Sequence, residues 1–125
     1  MAAAICNYLA NQLNADISAD SCGLCVGGHP ASQNAVLAVS ELYNIDISNH
    51  ISKGITPEII ENADVIFTMT MSHAAILASA FQKDADKICV AEPEISDPYL
   101  MPLPIYKECA QQLYSQIKSK FFCEE

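Results

Sequence analysis

Asp64-Val65-Ile66-Phe67-Thr68-Met69-Thr70 is rich in β-branched and apolar residues on both faces of an extended chain. A strand wetted on one side alternates apolar with polar positions. One without that alternation fits a buried strand of a parallel sheet. On its N-terminal side, Thr56-Pro57-Glu58 spells a helix start. Thr56 supplies a hydroxyl cap, Pro57 takes the first helical position and Glu58 sits near the positive end. That helix is short and stops near Ala63. On the C-terminal side, Ser72 can cap a helix whose inward face is Ala74, Leu77, Ala78 and Phe81. Lys87 to Ala91 reads as a further strand. From about Pro104 to Phe122 a long helix carries Ile105, Cys109, Leu113, Ile117 and Phe121 in an i+4 row.

Upstream, Met1 to Asn14 reads as a helix with Ala2, Ile5, Cys6, Leu9, Ala10 and Leu13 on one face, although no capping residue precedes it. Ala15 to Ser21 suits a strand. Cys22 to Pro30, with Gly23, Gly27 and Gly28, suits a loop. Ala31 to Tyr43 is helical, with Ala35, Ala38, Val39 and Leu42 inward, and Asn44 to Gly54 is irregular. Strands alternating with helices imply an α/β fold, a parallel sheet with helices on both faces. Such a fold usually opens with a strand and a ligand-binding turn that lead into the first helix. Here the first helix is present and those two parts are not.

At 125 residues the expectation is one domain with one core. The charge is acidic, net −9, and all six basic residues are lysines (Lys53, Lys83, Lys87, Lys107, Lys118 and Lys120). A nucleic-acid partner would need a basic stripe that this chain lacks, so none is expected. An anionic substrate would need a strong local site, because the overall field opposes it. No apolar run is long enough to cross a bilayer, so no membrane partner is expected either. No basic segment leads into an apolar one at the N-terminus. The expected location is therefore cytoplasmic. The six cysteines, Cys6, Cys22, Cys25, Cys89, Cys109 and Cys123, are expected as reduced thiols.

Between the strand at Lys87 to Ala91 and the last helix lies Ile95-Ser96-Asp97-Pro98-Tyr99. Pro98 restricts the backbone of Asp97 and so fixes where its carboxyl points. Tyr99 offers a flat wall beside it. A carboxyl in such a setting can be tuned to donate a proton to a leaving group. The same residues also read as a plain turn, because Asp-Pro is a common turn initiator. Cys22-Gly23-Leu24-Cys25 is open to three readings: a redox pair, half a zinc site with His29, or incidental loop thiols. A structural zinc wants four ligands, and no second pair exists, so no metal is expected.

Taken in order, these segments resemble the low-molecular-weight protein tyrosine phosphatases, a family that includes bacterial protein arginine phosphatases. Met1-Ala2-Ala3-Ala4-Ile5 resembles the Met-Ala-Glu-Ala run that opens the family's first helix. Asp20-Ser21-Cys22-Gly23-Leu24 resembles its Ser-Ala-Gly segment. Pro30-Ala31-Ser32, Tyr43-Asn44-Ile45-Asp46 and His50-Ile51-Ser52 follow the family order. Residues Ala63 to Thr70, with His73 just after, are close to its central strand. Asp97-Pro98-Tyr99 stands where the family has its general-acid loop. The resemblance spans essentially the whole chain.

It implies a protein phosphatase that acts on a phosphorylated protein substrate, phosphotyrosine or phosphoarginine, through a cysteinyl-phosphate and without a cofactor. By the resemblance, Asp97 is the acid that protonates the leaving oxygen and then activates water. Tyr99 is the aromatic wall beside the substrate, and it leans towards phosphotyrosine. Ser21 and His50 are the polar residues that brace the phosphate loop. After Asp-Pro-aromatic the family often has glycine, where this chain has Leu100-Met101-Pro102. The family's Cys-x5-Arg-Ser nucleophile loop directly precedes its Met-Ala-Glu-Ala run. With no arginine, the 125 residues contain no such loop. The expectation is a single phosphatase-like domain, N-terminally incomplete, without the first strand and phosphate loop, and inactive as it stands. The alternative is a non-catalytic pseudophosphatase or binding partner.

Overall fold

The computed structural model describes residues 1–23 and 27–122. In chain order they form α1 (Ala2–Gln12), α2 (Gln33–Tyr43), α3 (Pro57–Asn62), β1 (Ile66–Thr68), α4 (Met71–Ala80), a 3₁₀ helix (Gln82–Lys87), β2 (Ile88–Val90) and α5 (Leu103–Phe121). The chain divides into two compact units, Met1–Gly54 with Asp97–Glu125, and Ile55–Ser96.

In the first unit α5 packs against both α1 and α2. Its buried row is Tyr106, Cys109, Ala110, Leu113 and Ile117. Ile105, expected in that row, is exposed, because the stripe turns about one residue further round at the N-terminal end. Ile5 and Leu9 from α1 and Ala38 and Val39 from α2 complete the core. Each large side chain buried here contributes roughly 1.5–3 kcal/mol. Tyr43 at the end of α2 stacks on Tyr114 of α5 with ring centroids 4.7 Å apart, and Tyr8 of α1 tilts against Tyr43 at 6.3 Å. Lys107 Nζ pairs with Glu41 at 2.8 Å, tying α5 to α2 a second time. Ser32 caps α2 by accepting from Ala35 N–H, and Asn44 ends it in the left-handed conformation that asparagine tolerates. α1 begins without a side-chain cap, as its sequence led us to expect.

Ala15 to Ser21 is not a strand. A strand exists only where a neighbour completes its hydrogen-bond ladder. Among the described residues this part of the chain reaches only an isolated parallel bridge, Gly23 to Gly54. A side chain substitutes for the ladder. Asn7 Nδ2 donates to Ala19 O at 2.9 Å, and Ala19 N–H donates to Asn7 Oδ1 at 2.8 Å.

The second unit is built on β1, which pairs in parallel with β2 in the register Ile66–Ile88, Phe67–Cys89, Thr68–Val90. The pairing continues past both strands, with Ala91 N–H donating to Thr68 O and Ile95 N–H to Met69 O. Thr56 caps α3, with Pro57 at its start, as the sequence indicates. The cap of α4 is Thr70 and not Ser72, so the helix starts two residues earlier than expected: Thr70 accepts from His73 N–H, and Glu94 accepts from Met71 N–H at 2.7 Å. Lys87 is not a solvated lysine. It donates to the carbonyls of Ile60 and Glu61 at the end of α3 and pairs with Asp84 at 2.8 Å. The class is α/β with parallel strands and helices.

Asn7→Ala removes both bonds to Ala19 and no core contact. It should lower the unfolding free energy by about 1–2 kcal/mol in urea titrations. An unchanged midpoint would show that the clamp contributes nothing.

Candidate active site

The acid loop connects to α5 and belongs to the unit that α5 organises. Asp97 and Tyr99 are both exposed, Tyr99 by 69%. Pro98 sets up a tight turn in which Tyr99 N–H donates to Asp97 Oδ1 at 3.1 Å and Met101 N–H donates to Pro98 O at 2.9 Å. Leu100 completes it at φ 64°, a conformation that L side chains rarely adopt. The turn reading of Asp-Pro is therefore the one the backbone shows. The turn holds the carboxyl through one oxygen, Oδ1.

Cys109 of α5 is buried to 7% exposure. Burial raises its thiol pKa. The amino group at Met1 works the other way, and the Asp97 carboxylate adds to the rise. Burial also holds the Met1 amino group below its ordinary pKa, with Cys109 opposing. The Met1 amino group and the Asp97 carboxylate thus both bear electrostatically on one buried side chain. A helix N-terminus carries partial positive charge and unsatisfied N–H groups, which favour an anion.

Ser21 and His50 gather around a different residue, Asp20. Lys53 Nζ forms a short ion pair with the Asp20 carboxylate. Ser21 N–H donates to Asp20 Oδ1 at 2.9 Å. The Lys53 bond holds the Asp20 carboxyl below the usual range, with smaller contributions from Ser21 and from the charge of His50. The loop backbone lies close to residues 52–54. Gly23 N–H donates to Lys53 O at 2.9 Å, and Gly28 N–H donates to Ser52 O at 2.6 Å. A side chain at Gly27 would collide with the Lys53 backbone, so only glycine fits there. The structure therefore groups Asp97 with Tyr99, and Ser21 with His50. The sequence reading missed Asp20, Lys53 and Cys109 as the residues around which they group.

Cys25 of the Cys-x-x-Cys lies outside the described residues, so the redox and zinc readings of that pair do too. Cys22 is exposed, and burial followed by the nearby Asp20 raises its pKa. Burial raises Cys6 as well. A nucleophilic or metal-binding cysteine needs the opposite shift. Cys89 is half-buried on β2.

Known proteins place this α/β chain in a class and then in a family. It has the architecture of small phosphatases. The model of the low molecular weight phosphotyrosine protein phosphatases matches residues 1–122, and the chain belongs to that family of protein phosphatases. The protein-arginine-phosphatase of Bacillus subtilis (strain 168) is 29% identical over 121 residues, covering 90% of this chain and 79% of that protein. The crystal structure of a low molecular weight protein tyrosine phosphatase from T. tengcongensis superposes with a TM-score of 0.89 at 35% identity, over 94% of this chain and 84% of that one. The arginine phosphatase YwlE, solved as a Cys-to-Ser mutant with its active-site serine phosphorylated, gives a TM-score of 0.88 at 26% identity, over 94% and 81% of the two chains.

Because the Asp20 pKa is depressed in the folded state, its contribution to stability is present above the ordinary carboxylate range. It is lost as pH falls through the folded value. In Lys53→Met the Asp20 carboxyl should titrate closer to the ordinary range by carbon-detected NMR. An unmoved titration would mean that Lys53 is not what holds it down.

Proposed function

We propose that this protein contributes the proton-transfer half of a phosphatase site that hydrolyses phosphotyrosine or phosphoarginine on a protein substrate. The observation that carries the proposal is the Asp97-Pro98-Tyr99 turn, in which Tyr99 N–H donates to Asp97 Oδ1 at 3.1 Å, in a chain of this phosphatase family. In the family's loop, a thiolate attacks phosphorus, the P–O or P–N bond to the side chain breaks, and the leaving atom takes a proton from Asp97. The resulting carboxylate then accepts a proton from water as that water attacks the cysteinyl-phosphate. Tyr99 would flank the substrate side chain. Ser21 and His50 would brace the phosphate loop.

Cys-x5-Arg-Ser does not occur in these 125 residues. The described cysteines with shifted pKa values are all shifted away from the thiolate. We therefore propose that this stretch has no turnover by itself. A family-type Cys-x5-Arg-Ser loop joined ahead of Met1 would supply the nucleophile and the guanidinium grip.

The test compares the 125 residues with a chain extended by that loop. The first should leave p-nitrophenyl phosphate, phosphotyrosine peptide and phosphoarginine untouched. The second should hydrolyse p-nitrophenyl phosphate and at least one phosphoprotein substrate, and Asp97→Asn should lower its kcat by about 10²- to 10⁴-fold. Alkylation-sensitive turnover by the short chain would overturn the proposed inactivity. An extended chain that binds phosphopeptide without turnover would favour the non-catalytic reading.

A further inference from the structure

The acid loop has an anchor outside itself. Asn34, in the first turn of α2, donates from Nδ2 to the carbonyl of Met101 at 3.1 Å. The two residues are 67 positions apart in sequence. Met101 is also the residue whose N–H closes the turn onto Pro98. One end of the loop is therefore fixed by Asn34 and the other by the Asp97 carboxyl, which accepts from Tyr99 N–H. Between them lies Leu100 at φ 64°, a strained conformation for leucine and 83% exposed, so its side chain has little packing to hold it there. α5 starts at Leu103, one residue after Pro102, without a side-chain cap of its own. The polar contact from α2 thus meets the loop where its own bonding is weakest.

We propose that Asn34 is a positioning residue for the general acid. By holding the Met101 carbonyl it keeps the turn closed, and the closed turn aims the Asp97 carboxyl and sets the Tyr99 ring beside it. Asn34 touches neither carboxyl nor substrate and acts only through the loop. The half-buried position of Asn34 and the Lys107–Glu41 pair make α2 and α5 a rigid frame for this contact. The proposal rests on the reading of Asp97 as the acid for its catalytic consequence, but not for the contact itself.

Two measurements separate these parts. In the 125-residue chain, Asn34→Ala and the isosteric Asn34→Asp, which lacks the donor, should speed hydrogen exchange at the Tyr99 and Met101 amides by about five- to tenfold. Exchange in the middle of α1 and α5 should stay unchanged. Unchanged exchange at Tyr99 and Met101 in both variants overturns the proposal, whatever the activity. In the loop-extended chain the same variants should lower kcat about tenfold more for phenyl phosphate than for p-nitrophenyl phosphate, because only the poorer leaving group depends strongly on an aimed acid. In an Asp97→Asn background that difference should vanish. Equal losses on both substrates would reduce Asn34 to a structural residue and overturn the positioning role. If the extended chain turns over neither substrate, the reading of Asp97 fails, and the exchange result still decides whether Asn34 holds the loop.

Discussion

The packing of α5 against α1 and α2 is the constraint from which the site follows. Tyr106, Leu113 and Ile117 are each buried to 6% exposure or less, and they set the rotation of α5 about its axis. Once that rotation is fixed, Cys109 has one place to go, inward, beside the head of α1. The loop that enters α5 is fixed with it. A side chain of no chemical distinction thus becomes the meeting point of a helix N-terminus and a carboxylic acid. Hydrophobic burial here does more than stabilise. It brings residues from the two ends of the chain to one location.

Electrostatics act locally in this molecule. The net charge of −9 would repel a phosphorylated partner, and no arginine offsets it. Lys53 is held by Asp20, Lys107 by Glu41 and Lys87 by Asp84. These lysines are committed within the fold and are poor substitutes for a guanidinium clamp. The backbone at the start of a helix such as α1 carries a partial positive charge that falls off within a turn. Such a field needs no net positive charge and is felt only by a group placed directly on it.

Much of the fold was legible because its signals are local. Thr56-Pro57-Glu58 starts α3, the apolar Asp64 to Thr70 run contains β1, and the stripe from Cys109 to Ile117 is the buried face of α5. The family was legible from the order of short motifs, and the Asp-Pro turn from its dipeptide. The misses share a physical origin. Ala15 to Ser21 has strand-like residues, but a strand depends on a partner that no local pattern encodes, and Asn7 from α1 satisfies Ala19 instead. Thr70 rather than Ser72 caps α4 because the chain turns into the helix only two residues after β1 ends at Thr68. The Asp20–Lys53 pair and the Asn34–Met101 bond join residues 33 and 67 positions apart. Contacts of that range are written in the packing and not in the spacing of residues.

The central claim is that the head of α1 and the Asp97 loop share Cys109. Backbone amide shifts of Cys109→Ala, compared with the parent chain by heteronuclear NMR, test it directly. Removing one buried sulfur should move resonances in both the first turn of α1, Ala2 to Ile5, and the loop at Asp97 and Tyr99, as well as in α5. Shifts confined to α5 and α2, with either the α1 turn or the Asp97 loop unmoved, would contradict it.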